Sequence, residues 1–160
     1  MSTIVKAGIV LGLLCTVWTY VVGFMGWYKD PVLQALFWVV ILIQIAVLIW
    51  GLRQTAAQGR AYGAQVGAGT LMSLVGAVII FIGSYVFTTV VFPEFFAEIR
   101  AAGEQEFRSQ GLSDAEITTR LDALASLQTP FVNALSGAVG TVVTGALASL
   151  VIAAFARKKA

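Results

Sequence analysis

Four stretches of this chain, residues 4–26, 32–52, 68–92 and 131–155, are apolar throughout and carry no Asp, Glu, Lys or Arg near their middle. Each reaches the roughly 20 residues that take a helix across the hydrocarbon core of a bilayer. Inside that core every backbone N–H and C=O must be paired within the segment, so such a run folds as a helix. Charged residues make up 11% of the chain and hydrophobic ones 59%. Soluble domains carry about 25% charge, so this chain has too much apolar surface for one soluble core. The expected fold class is an all-α, four-helix polytopic membrane protein, with residues 1–160 as a single membrane domain.

The first span has Lys6 as its only charge. The apolar core of a cleaved signal peptide runs about 7–15 residues before a small-residue site. This run is longer and closes on the interfacial pair Trp27-Tyr28, so a retained helix is expected. Gly8, Gly12 and Thr16 recur every four residues and form a small-residue stripe for close packing. Trp27 to Pro31 is a tight connection, with Pro31 suited to the first turn of the next helix. The second span, almost purely Val, Ile and Leu from Val39 to Val47, is expected to be the most lipid-exposed. Gln44 breaks it near mid-membrane, where one interhelical hydrogen bond is the commonest role for an amide.

Residues 53–66 read as a polar link. Gly63 and Gly67 do not make a phosphate loop, because no Gly-Lys-Ser/Thr follows and no strand precedes. On the third span Gly69, Ser73, Gly76 and Gly83 fall along one face, and Tyr85, Phe87 and Phe92 form an aromatic belt at its end. The fourth span has two adjacent all-small rows: Ser136, Gly140, Thr144, Ala148, and Gly137, Thr141, Gly145, Ser149. A helix so poor in Leu is expected to stay in the membrane by packing on the other spans or on another subunit.

Between spans three and four, residues 93–130 are polar and bracketed by Pro93 and Pro130. Pro93 opens an expected helix to about Gln110 and Gly111 stops it. Ser113-Asp114-Ala115-Glu116 is a capping box that starts a second helix, to about Leu127. Ile117, Leu121 and Leu124 give that helix an apolar stripe, expected to lie on the membrane, the spans or a partner. The result is a helical hairpin between helices three and four. It carries Arg100, Arg108 and Arg120 against seven acids, a net −4. The opposite side collects Lys6, Arg53, Arg60, Arg157, Lys158 and Lys159 with no acid. The positive-inside rule therefore puts both termini in the cytoplasm and the hairpin on the extracytoplasmic side.

The chain has no histidine and one cysteine, Cys15. No imidazole is available for haem or chlorophyll, for a metal site or for a Ser-His or Cys-His pair. Cys15 reads as a small buried apolar residue. The acids outside follow no calcium-loop spacing and read as a solvated helical face. Glu104 and Glu106, two apart on a helix, point to different sides and suggest no acid–base pair. No cofactor, metal or catalytic residue is expected, and no basic face suggests nucleic acid.

The order and spacing of Phe92-Pro93-Glu94-Phe95, Gly111 to Ile117, Thr129-Pro130-Phe131 and Arg157-Lys158-Lys159 resemble the bacterial membrane family catalogued as domain of unknown function 4199. The resemblance covers nearly the whole chain. It implies four spans and no established activity, so it carries over no functional residues. The expected function is a non-catalytic accessory or interaction subunit, in contact with lipid and with other membrane subunits or a second copy. Its packing or partner-binding residues would be Gly8, Gly12, Gly76, Gly83, Ser136, Gly137, Gly140, Thr141, Thr144 and Gly145. The alternative is a small transporter or channel lined by hydroxyl and amide side chains, Tyr20 and Gln44 foremost. No ionisable residue at mid-membrane supports proton coupling.

Overall fold

The computed structural model describes residues 1–30 and 32–155. Pro31 and the basic Arg157-Lys158-Lys159 tail lie outside the described residues. Helix α1 is Thr3–Phe24, a 3-10 turn covers Trp27–Lys29, and a 3-10 stretch Leu33–Trp38 leads into α2, Val39–Ala56. Helix α3, Tyr62–Val86, runs on into a π turn, Phe87–Val91; α4 is Phe95–Ser109, α5 Asp114–Ala125 and α6 Pro130–Phe155. No strand occurs among the described residues. Four helices are long and apolar enough to cross a membrane: Thr3–Phe24, Leu33–Ala56, Tyr62–Val91 and Pro130–Phe155.

The ends of the helices follow local chemistry. Ser2 caps α1, its hydroxyl accepting from the Val5 amide at 3.3 Å. The expected link at 53–66 shrinks to a few residues around Gly59, which turns the chain at φ +75°. Helix α2 extends to Ala56 and α3 starts at Tyr62, because the polar residues there pair within the bundle. Thr55 Oγ1 donates to Gln65 Oε1 at 2.7 Å, with both residues buried.

Helix α3 is the centre of the bundle. It packs along α1 and along α6, while α2 touches α1, α3 and α6. Ala7, Leu11, Cys15, Val47, Leu48, Leu52, Ala68 and Met72 form the core where α1, α2 and α3 meet. Backbone approach sets the α1–α3 distance. A Cβ on Gly8 would stand 2.5 Å from Val75 Cβ, and one on Gly12 would stand 2.6 Å from Ile79 Cβ. From the other side, a Cβ on Gly76 would meet Leu11 Cδ2 at 2.9 Å and one on Gly83 would meet Thr16 Cγ2 at 2.5 Å.

Two sequence expectations change here. The α3 small residues do not act as one face: Gly76 and Gly83 turn to α1, whereas Gly69 and Ser73 turn to α6. The most exposed span is α6, 17% buried, rather than the second span at 28%. Bulky side chains on α2 reach across to α1 and form the core, whereas the small side chains of α6 cover less of their own helix.

Between the third and fourth spans, α4 and α5 follow the expected signals closely. Gly111 takes φ +79° between them. Ser113 and Glu116 close the capping box. Pro93 stands in a turn before α4 rather than in its first turn, since the π turn delays the helix start to Phe95. Ile117 and Leu121 are buried, and Leu121 Cδ2 lies 3.5 Å from where a Gly103 Cβ would be. Most of the α5 stripe is thus covered by α4, while Leu124 stays exposed. Arg100–Asp122 at 2.7 Å and Arg108–Asp114 at 3.4 Å join the two helices.

Gly12→Ala should cost roughly 1–3 kcal/mol by overpacking the α1–α3 contact. Gly67→Ala, where a Cβ meets nothing within 4 Å, should leave stability unchanged or raise it. SDS titration in mixed micelles, followed by tryptophan fluorescence, measures both.

Candidate functional site

Three of the polar side chains buried in the bundle, Gln44, Ser73 and Ser149, meet where α2, α3 and α6 come together. Gln44 is 4% exposed. Its Nε2 donates to the Thr141 carbonyl at 2.6 Å, and its Oε1 accepts from Thr144 Oγ1 at 2.8 Å. Below it, α3 and α6 exchange small residues reciprocally. A Cβ on Gly69 would lie 2.0 Å from Ser149 Oγ, and a Cβ on Gly145 would lie 1.9 Å from Ser73 Oγ and 2.7 Å from Gln44 Nε2. Each serine therefore rests on the bare backbone of the facing glycine. Ser149 also donates to the Gly145 carbonyl at 2.6 Å. Ser73 Oγ has no hydrogen-bond partner among the described residues. It lies against the Gly145 backbone, where weak Cα–H···O contact is the available interaction.

The other residue named for a polar path, Tyr20, lies elsewhere. Tyr20 Oη donates to the Gly83 carbonyl at 3.3 Å, on the α1–α3 side. Thr19, Thr88 and Thr141 donate to the carbonyl four residues back, at 3.0, 3.1 and 2.8 Å. Tyr20 and Gln44 thus belong to two different helix contacts rather than to one lining. Two hollows on the surface are shallow and open. One is the α2 face Ala46, Ile49, Trp50, Arg53, Gln54, Ala57; the other is on α5. Among the described residues no group of three or more Cys, Asp or Glu could hold a metal ion.

The small residues of α6 divide along the helix. Gly145 and Ser149 are buried, and Thr141 and Thr144 are half-buried. Ser136, Gly137 and Gly140 are exposed. A Cβ on Gly140 would meet nothing within 4 Å, and one on Gly137 only Ile80 Cγ2 at 4.0 Å. The half of α6 next to the acidic segment therefore presents a flat face that no other helix covers among the described residues. Val139 and Val143 flank it, also exposed.

A second cluster lies at the acidic end and ties α4 to the connection between the first two spans. Tyr28 Oη donates to Glu98 Oε2, and Lys29 Nζ donates to Glu98 Oε1 at 2.9 Å. Tyr28 is 6% exposed, with the Phe95 ring 4.9 Å and the Phe92 ring 6.2 Å from its own. Burial and then the bond to Glu98 push the Tyr28 phenol up. The Tyr28 hydroxyl, and after it Lys29, holds the Glu98 carboxyl below its ordinary value. The bond to Glu98 raises Lys29. Nothing in the sequence pointed to this cluster, whose members stand seventy residues apart with no periodic relation.

A family model described as a protein of unknown function (DUF4199) matches residues 6–158. No curated protein and no solved structure matches the chain.

Gln44→Leu should lower stability by about 1 kcal/mol, because interhelical hydrogen bonds in membranes are worth roughly 0.6 kcal/mol each. Thr144→Val should cost about half of that, and the double variant no more than Gln44→Leu alone, since the two side chains share a bond. SDS-unfolding midpoints of the three variants give the comparison.

Proposed function

The chain belongs to the DUF4199 family, and from that premise we propose that it is a non-catalytic interaction subunit of the bacterial inner membrane. Its uncovered α6 face joins it to another membrane subunit or to a second copy. Both termini sit in the cytoplasm. The pair α4–α5 is an extracytoplasmic helical hairpin. In the sequence, the beginning of the first span, residues 53–66 and the end of the chain after the fourth span carry Lys6, Arg53, Arg60, Arg157, Lys158 and Lys159 and no acid, which is the charge bias that sets orientation.

The observation that carries this reading is the open stretch Ser136, Gly137 and Gly140. In lipid the hydrophobic effect does not drive helices together, so small residues earn their place by letting backbones approach closely. Gly8, Gly12, Gly69, Gly76, Gly83 and Gly145 do this inside the bundle. On the outer half of α6 the same type of surface meets no helix among the described residues, and close approach there calls for a helix of another chain. A small transporter or channel draws less support, since both polar atoms of Gln44 are taken up by α6 and Tyr20 faces a separate contact.

Gly140→Leu and Gly137→Leu should therefore leave the unfolding midpoint of the isolated protein unchanged while removing its association. Native mass spectrometry of protein extracted in mild detergent from its own membrane reads this directly. A complex that survives both substitutions overturns the proposal, and Gly145→Leu, which strikes Ser73 and Gln44, should instead lower stability.

A further inference from the structure

The pair α4–α5 is joined to the spans by two short connectors and one docking contact. The entry connector is the π turn Phe87–Val91, in which the Phe92 amide donates to the Phe87 carbonyl at 2.8 Å. It is followed by Phe92 outside helical geometry (φ −130°, ψ 69°) and by Pro93. A π turn interrupts the regular i→i−4 ladder of a helix and is frequently found at functional sites. Proline supplies no amide that would extend the helix across the joint. The exit connector is the stretch 126–129 before α6. Between these, the element outside the pair that α4 touches most among the described residues is the Trp27–Lys29 turn. There Tyr28 and Lys29 hold Glu98, and the Phe95 ring lies 4.9 Å from that of Tyr28; Phe95 also meets Phe87 of the π turn, ring centroids 5.3 Å apart.

We propose that α4–α5 is a hinged flap, pivoting at Phe87–Pro93 and at 126–129 and latched shut by Tyr28, Lys29 and Glu98 over an aromatic surface. The distribution of interactions supports motion of the pair as a unit. Within it, Arg100–Asp122, Arg108–Asp114 and the buried Ile117 and Leu121 hold α4 to α5. Toward the spans it has one carboxylate and one ring. Phe87 and Tyr28 are 3% and 6% exposed with the flap down, and lifting it uncovers both. The latch also has a defined acid limit. The groups facing Glu98 are Tyr28 and Lys29 of the connection, and both hold it ionised. A carboxyl whose value is lowered on docking supports the docked state above its ordinary range and loses that support as pH falls through the lowered value. The flap is therefore closed at neutral pH and loosened as acid protonates Glu98, below the ordinary glutamate range.

Electron–electron resonance distances between spin labels test this in the full-length protein in lipid nanodiscs. Labels go on Gln34→Cys and Ala123→Cys, both exposed positions, in a Cys15→Ala background. Wild type at neutral pH should give one narrow distribution. Glu98→Ala, and wild type taken to pH 3, should each add a longer-distance population. A single unchanged distribution in either experiment overturns the flap. Should Glu98→Ala fail to fold, Lys29→Ala, which alters a half-exposed side chain, gives the same two readings at neutral pH.

Discussion

The bundle depends on how closely α3 approaches its two main neighbours. Water excluded from apolar surface holds a soluble core together, but between helices already in lipid that gain is absent. What remains is dispersion and weak polar contact, both steep functions of distance. Gly8, Gly12 and Gly76 let α1 reach α3. Gly69 facing Ser149 and Gly145 facing Ser73 let α6 reach it from another side. The last pair is antiparallel and self-matching: on each helix a glycine stands four residues before a serine, and each serine meets the other helix's glycine. The pattern fixes register as well as distance, because sliding either helix by one turn would set serine on serine in one direction and glycine on glycine, leaving a gap, in the other.

This register places the amide of Gln44. With Gly145 lacking a side chain, Gln44 reaches the Thr141 carbonyl and the Thr144 hydroxyl without displacing Ser73. A buried amide in hydrocarbon has to find partners inside the protein, and here it finds them only because two serine–glycine contacts have already brought α6 in. Packing and hydrogen bonding are therefore in series rather than independent.

How much of this was legible depended on range. Span number and approximate position followed from length and apolarity alone, and the capping box at Ser113–Glu116 followed from four adjacent residues. The small residues were visible as helical rows. Their division was not: Gly69 and Ser73 differ from Gly76 and Gly83 only by a modest rotation about α3, and which neighbour each meets is decided by where α1 and α6 dock. For the same reason the rows of α6 read alike at Gly137 and Gly145, although one is open and the other buried. The polar residues at 53–66 read as a link because nothing nearby announced that Thr55 and Gln65 would satisfy each other across a turn. Tyr28 and Glu98 carried no signal at all, since a single pair between distant segments leaves no period behind.

The central position of α3 bears on how the protein is made. Membrane helices leave the ribosome in chain order, so α1, α2 and α3 are present together before α6 exists, and their mutual contacts at Leu11, Leu48 and Met72 precede the arrival of Ala148 and Ile152 of α6 against the same cluster. The side of the nascent three-helix unit that awaits α6 carries Gln44, Ser73 and the bare backbone of Gly69. Until the last helix arrives, an unmatched amide faces lipid at mid-membrane. A chain that stalls before residue 130 thus displays the kind of polar blemish by which an unfinished membrane protein can be told from a finished one.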